Sequence, residues 1–490
     1  MAREGPSLPI LLRLGQWNGT ESTERRDNVL QLHKEVQLPV DIEQAFAWHQ
    51  RIGAFERLCP PWQRLEVIEP APSLDNGTRL IFRMFQGPVP LRWVAEHRDV
   101  DPPHQFRDIM AEGPFASWSH RHAFRPDPDT DGSILSDELE FSLPLAAASE
   151  TVAGWKLRQD LERVFAYRHR LTQGDLEVHG RYADRPRLDI VVSGSGGLIG
   201  KALCAFLSTG GHRVRRLVRR PAQRDRPGYL DEIQWDPQQG ILEPEQMEGV
   251  DAVIALGGEN IADGRWTAER KKRLIDSRVQ AVDVLVESLS QLEEPPPTLI
   301  SASGIGYFGN SGDVELDEDG PKGKGFLADL VEAWEGAVAK AEDHGIRAVS
   351  LRFGAVLSPQ GGALAKMLPP FLAGVGGPLG SGRPYMPWVS IDDAVGAAHH
   401  ALMHDDVRGP VNVVAPGAVR QKDFSCTLGK VLRRPAVLPA PAFALRLLFG
   451  EMADEMLLSG TRAVPAKLTD TGYRFRQGDL ETALRHVLGR

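Results

Sequence analysis

The stretch Leu188-Asp-Ile-Val-Val-Ser193, Gly194-Ser-Gly196-Gly197-Leu-Ile-Gly200, Lys201-Ala-Leu-Cys-Ala-Phe-Leu207 decides how most of this 490-residue chain folds. The apolar run into Ser193 reads as a buried strand, because a strand covered on both faces needs no polar alternation. The amphipathic run from Lys201 reads as a helix that begins at once. Between them Gly194 permits a tight turn, Gly197 lets backbone approach a pyrophosphate, and Gly200 allows the helix to pack closely on the strand. Such a helix aims its unpaired N–H groups at an anion held by the loop, so Ser195, Gly196, Leu198 and Ile199 complete a backbone cradle.

Downstream, strand and helix alternate: Arg213 to Val218, Ala252 to Leu256, Lys271 to Leu292, Thr298 to Ser303. That order predicts a parallel, doubly wound Rossmann sheet, and with the glycine loop it predicts a bound nicotinamide dinucleotide. The second strand bears on which one. An NAD site carries an acidic residue about 20 residues past the glycines, to bond the ribose 2′-hydroxyl, whereas an arginine suits a 2′-phosphate. Here the strand ends in Arg219 and Arg220 with no carboxylate beside them. A guanidinium fork matches a phosphate dianion, so NADP(H) is expected in preference to NAD(H). The alternative is that these arginines, with Arg213, Arg215, Arg216, Arg224 and Arg226, form a solvated basic stretch.

Upstream the pattern differs. Val29 to Pro39 is strand-like and Asp41 to Arg57 helical, alternating runs follow through Pro144, and a last helical segment spans Ala147 to Tyr182. Turn signals occur at Asp75-Asn76-Gly77 and Asp129-Thr-Asp-Gly132. This order predicts an α+β unit whose curved antiparallel sheet wraps a long helix and encloses a cavity. His120 and His122 lie two apart on one strand face, where they could chelate a metal or touch a polar ligand. No third ligand stands at a telling spacing, and no metal is expected. Trp93, Trp118 and Phe124 read first as core residues and second as cavity lining. The expected domains are a tail over 1–28, a ligand-binding unit over 29–182, a polar linker over 183–187, a dinucleotide-binding unit over 188–432 and a helical end over 433–490.

Composition limits the function. A hydrophobic share of 42% and a formal charge of -9 suit a folded protein with no basic footprint for nucleic acid or anionic membrane. Cys59, Cys204 and Cys426 are far apart with no ligand spacing, which fits the cytoplasm. No run reaches the roughly 18 apolar residues of a membrane span. The expected partner is a small-molecule substrate. Oligomeric state is not legible.

Residues 29–182 resemble the START-like (SRPBCC, polyketide cyclase/dehydrase) superfamily, through Trp93-Val-Ala-Glu-His97, Gly113-Pro-Phe-Ala-Ser-Trp118 and His120-Arg-His122-Ala-Phe124. That likeness implies a hydrophobic ligand in the cavity. From 188 to the end, the Gly194, Gly197, Gly200 spacing is similar to extended short-chain dehydrogenase/reductases. Ile233-Gln-Trp235-Asp-Pro237, Leu256-Gly-Gly-Glu-Asn-Ile261, Arg352-Phe-Gly-Ala-Val-Leu357 and Trp388-Val-Ser-Ile-Asp-Asp393 resemble an atypical branch of them, the NAD-dependent epimerase/dehydratase-like "epimerase family". The resemblance implies that Leu256, Gly257 and Gly258 lie by the adenine and ribose, with Arg278 and Ser301 near the cofactor. It implies Arg352 and Gly354 at the nicotinamide half.

The same kinship implies a catalytic serine after the fourth strand and a Tyr-x-x-x-Lys pair on the next helix, the lysine easing proton exchange by the tyrosine. Ser303 matches the serine. Anchored on Glu335, the tyrosine and lysine positions are Leu327 and Val331. Tyr307 either replaces the missing acid or is structural. Gly374 to Gly382, ahead of Arg383 and Tyr385, forms either a loop over the substrate or a set of turns. Two functions fit: an NADP(H)-dependent oxidoreductase acting on a small carbonyl or hydroxyl compound through Ser303 and Tyr307, or a non-catalytic NADP(H) sensor coupled to the ligand-binding unit.

Overall fold

A computed structural model describes residues 29–143 and 150–490, of which 150–153 by backbone only. The tail expected over 1–28 lies outside the described residues, as do the first residues of the helix expected from Ala147. The chain divides into two compact units, one of residues up to 184 with 225–229 and 489, the other of 185–224 with 230–488 and 490.

The first unit runs β1 (Leu30–Leu38), α1 (Ile42–Gln50), α2 (Ala54–Leu58), β2 (Leu65–Glu69), β3 (Arg79–Gln86), β4 (Val89–Asp101), β5 (Gln105–Glu112), β6 (Ser117–Pro126), β7 (Ser133–Ser142) and α3 (Glu150–Gly180). Its strands form one antiparallel sheet in the order β1-β7-β6-β5-β4-β3-β2. Because β1 pairs with the last strand, neighbouring hairpins build everything else. The single helix expected over Asp41 to Arg57 is in fact two. Asp41 caps the first, its carboxylate accepting from Gln44 N at 2.7 Å, but Gly53 takes φ 95°, outside the helical region, and starts the second. The break turns Arg57 into the interior, where its Nε and Nη2 pair with Asp175 of α3 at 2.8 and 2.7 Å. Leu139, Phe141 and Phe165 are buried between sheet and helix.

The second unit contributes β8 (Asp189–Ser193), α4 (Leu198–Thr209), β9 (Arg213–Val218), β10 (Asp231–Asp236), β11 (Ile241–Leu242), β12 (Ala252–Ala255), α5 (Ala268–Ser290), β13 (Thr298–Gly304) and α6 (Phe326–Ala339). The sheet order is β11-β10-β9-β8-β12-β13, then strands Arg347–Phe353 and Gly409–Val413. All pairings are parallel except β10 with β11. The strand order reverses between β8 and β12, and a doubly wound sheet opens a ligand crevice at that point. Ile190, Val191, Val253, Ile254, Leu299 and Ile300 are fully buried, as strands covered on both faces require. Short helices Ala442–Phe449, Ala466–Asp470 and Leu480–Leu488 close the unit. Among the described residues no helix is long and apolar enough to cross a membrane.

Candidate functional site

The glycine loop sits at the switch point. Gly194 leaves β8 with φ 67°, and a Cβ there would lie 2.6 Å from the Leu256 carbonyl carbon and 2.7 Å from Gly257 N. Only hydrogen fits between the ends of β8 and β12. A Cβ on Gly200 would overlap the Gly194 carbonyl oxygen, so α4 can start this close to the strand only with glycine there. Gly197 N donates to Gly194 O at 2.9 Å, and no side chain caps the N-terminus of α4. Gly196 faces open space. The first-turn amides of Leu198 and Ile199 therefore point out of a helix end with open room before it, which fits the pyrophosphate of a dinucleotide. Ser195, in the same loop, is buried.

The two arginines after β9 part company. Arg220 forms a bidentate pair with Glu232, Nη1 to Oε2 and Nη2 to Oε1, both at 2.7 Å. Arg216 reaches the same carboxylate at 2.6 Å. The expectation of a pair of open guanidiniums free of any carboxylate is thus corrected: β10 brings Glu232 alongside. Arg219 is exposed, and among the described residues no hydrogen bond or ion pair engages it.

Past β12, Leu256 is half-buried and a Cβ on Gly258 would lie 3.1 Å from Arg278 Cζ. Arg278 is buried on α5, where its Nη1 donates to Leu274 O and its Nη2 to Glu259 O, each at 2.9 Å. Burial, resisted by Glu259, draws its pKa down to about 10. Its guanidinium holds the Gly258-Glu259 backbone from behind. Ser301 is fully buried and its hydroxyl donates to Ala302 O at 2.9 Å. Gly354 would press a Cβ to 2.8 Å from Pro387 O, so this glycine serves the approach of two chain segments.

At the other side of the crevice, the end of β13, helix α6 and strand Arg347–Phe353 converge. Ser303 Oγ donates to Glu335 Oε1 at 2.6 Å. Arg352 holds the same carboxylate through Nε to Oε1 and Nη2 to Oε2, each at 2.7 Å, and its Nη1 donates to Glu318 O at 3.2 Å. The Arg352 guanidinium stacks 3.7 Å over the Tyr307 ring. The structure thus brings Ser303, Tyr307 and Arg352 together around Glu335, which sequence reasoning used only as an anchor. Leu327 and Val331 pack beneath Gly306 and Gly304 as apolar side chains. In the Gly374–Gly382 run, Gly374, Gly380 and Gly382 all have positive φ, which favours the turn alternative. Tyr385 pairs with Arg420 on a short two-stranded ribbon.

The first unit encloses a cavity of about 420 Å³. Trp93, Trp118 and Phe115 line it while packing into the core, so the two readings of these aromatics merge; Phe124 belongs to the core alone. One wall is polar. His97, Asp108 and His120 stand in register on β4, β5 and β6, and His122 stands opposite Asp137 of β7. Sequence spacing offers the histidine pair no third ligand; cross-strand register instead sets Asp108 beside His120. Burial opposes a charge on His122, but Asp137 and Asp108 overcome it and hold its pKa up at about 9. Burial and then repulsion from His122 push His120 and His49 down to about 4. Asp137 and Asp108 resist burial and stay below the usual carboxylate range through their histidine partners.

Comparison with known proteins follows the same division. The profile of the NAD dependent epimerase/dehydratase family matches residues 190–414, that of polyketide cyclase/dehydrase and lipid transport proteins matches 38–165, and a domain of unknown function matches 440–487. The epimerase family protein Mb2239 of Mycobacterium bovis is 42% identical over 301 residues, 61% of this chain and 98% of its own. The crystal structure of the nucleoside-diphosphate sugar epimerase from Corynebacterium glutamicum shares 31% identity and a TM-score of 0.75, over 94% of this chain and 90% of that one. Human epimerase family protein SDR39U1, crystallised with NADPH, shares 34% identity and a TM-score of 0.57, over 61% and 99%. A polyketide cyclase-like unit precedes, and a small helical part follows, a Rossmann sheet with a glycine loop after its first strand: the chain belongs to the NAD dependent epimerase/dehydratase family, among its epimerase family proteins.

Proposed function

We propose that this protein is an NADP(H)-dependent oxidoreductase of the atypical extended short-chain type, acting on a small carbonyl or hydroxyl compound. The observation that carries the reading is the uncapped N-terminus of α4 behind Gly194, Gly197 and Gly200, at the point where the strand order reverses. Ser195 to Gly200 would hold the pyrophosphate, Leu256 to Gly258 the adenosine side, and Ser301, Arg352 and Gly354 the walls of the nicotinamide side. NADP(H) over NAD(H) is supported by the unengaged guanidinium of Arg219 and by a human relative crystallised with NADPH. When bound, the nicotinamide supplies or takes the hydride.

The chain's own residues then handle the proton. A serine hydroxyl has one hydrogen, and that of Ser303 already lies on Glu335. Ser303 therefore has no hydrogen to give a substrate carbonyl and accepts one only from a substrate hydroxyl, and Tyr307 is the proton donor to a carbonyl. Arg352 neutralises Glu335 and fixes the Tyr307 ring from above.

The apolar Leu327 and Val331 favour a second reading, an NADP(H) sensor with no turnover. Incubation with NADPH and a broad panel of carbonyl compounds separates the two. Under the first reading, oxidation of NADPH falls roughly 100-fold or more in Tyr307→Phe while NADPH affinity stays within about twofold. Oxidation that survives both Tyr307→Phe and Ser303→Ala places the chemistry elsewhere. Tight NADPH binding with no oxidation of any compound supports the sensor.

A further inference from the structure

We propose that Asp108, His120 and His122 form a site for a divalent transition-metal ion, of the zinc or ferrous class, at the polar wall of the cavity in the first unit. The three side chains offer ligand atoms that all lie within 4.8 Å of one another. Two histidines and one carboxylate bind such ions and leave coordination positions open. His122 Nε2 stands 3.5 Å from Asp108 Oδ2. Ligands at about 2.1 Å from a tetrahedral zinc stand about 3.4 Å apart, so this pair is already at coordination spacing.

The outward faces of the ligands are supported as a metal site requires. His120 Nε2 bonds Asp137 Oδ1 at 2.9 Å, His169 Nε2 bonds Asp137 Oδ2 at 2.6 Å, and His97 Nδ1 bonds Asp108 Oδ1 at 2.6 Å. A carboxylate on one ring nitrogen fixes the tautomer and leaves the other nitrogen with its lone pair. His120 thereby presents Nδ1. His122 Nδ1 lies 2.8 Å from Asp137 Oδ1 but out of line for a hydrogen bond, a buried nitrogen without an aligned partner, and its Nε2 is the ligand atom. Asp108 and Asp137 place two carboxylates in the buried cluster, and a divalent cation that takes the place of the His122 proton offsets both charges. Beyond the open positions the cavity is walled by Phe82, Met84, Trp93 and Phe115. The occupant this chemistry selects is a small molecule with an apolar body and a carboxylate, hydroxyl or keto oxygen that completes the coordination.

Untagged full-length protein, stripped with chelator and dialysed, is titrated with Co²⁺ and then with Zn²⁺. The expected result is about one equivalent bound per chain, with a visible Co²⁺ absorption that Zn²⁺ abolishes. His120→Gln and His122→Gln should weaken binding at least tenfold, and His97→Gln, which only orients Asp108, by roughly 10-fold. Should a variant fail to fold, the wild-type protein still decides: Zn²⁺ must move the ring-nitrogen resonances of His120 and His122 in ¹⁵N-histidine spectra. Folded wild-type protein that takes up neither ion, unmoved ring resonances, or undiminished binding in folded His122→Gln would each overturn the proposal and leave a metal-free ion cluster.

Discussion

Glu335 receives Ser303 and, through Nε and Nη2, one edge of the Arg352 guanidinium, and Arg352 is only 2% exposed. Removing one member of a buried pair strands the other charge, whereas removing both costs far less. Glu335→Leu should therefore lower unfolding free energy by about 3 to 5 kcal/mol. The double variant Glu335→Leu with Arg352→Leu should lose less than the sum of the single changes, by denaturant titration. Strict additivity would show that the two side chains do not act as a pair. A second prediction at this scale concerns Arg219. If it meets the 2′-phosphate of NADP(H), Arg219→Asp removes a charge-assisted contact of roughly 1.5 to 3 kcal/mol and weakens NADPH more than NADH. Arg220→Asp should weaken it less, because Glu232 already occupies that guanidinium. Equal losses for both cofactors in Arg219→Asp would remove the phosphate role.

The junction of β8 and α4 depends on two backbone segments in contact. At Gly200 an added methyl would meet the Gly194 carbonyl, and backbone cannot swing aside as a side chain can. Gly200→Ala should shift the start of α4 and cost NADPH affinity at least tenfold, measured by fluorescence titration, with far-UV circular dichroism largely kept. Unchanged affinity would mean that the anion is held by something other than these amides. The helix pair α1 and α2 teaches a related lesson. Apolar periodicity from Asp41 to Arg57 reads as one helix, yet Gly53 adopts a conformation that ends it. The gain is the Arg57–Asp175 pair, both side chains nearly inaccessible. Asp175→Asn should accordingly destabilise the first unit more than any exposed ion pair of the sheet could.

Across the whole molecule the two compact units carry separate candidate sites, the glycine loop in one and the histidine–aspartate wall in the other. A fragment of residues 188–490 is expected to fold and to bind NADPH as the full chain does, which thermal unfolding with and without NADPH would test. Loss of binding in a folded fragment would show that the first unit contributes to the cofactor site.

What sequence alone determined is local or periodic. The run from Leu188 to Leu207 states strand, turn and helix in consecutive residues, and glycine's freedom at three of them implies the ligand. The parallel, doubly wound sheet followed because strands linked by helices have few arrangements. What only the tertiary structure decided are contacts between residues far apart in the chain. Glu232 meets Arg220 because β10 lies beside β9, and Glu335 joins Ser303 to Arg352 across two strands and a helix. Asp108 faces His120 because hairpin register sets it there, twelve positions away in sequence. Sequence spacing encodes which face a residue takes; which partner it meets there is fixed by pairing and packing of the whole sheet.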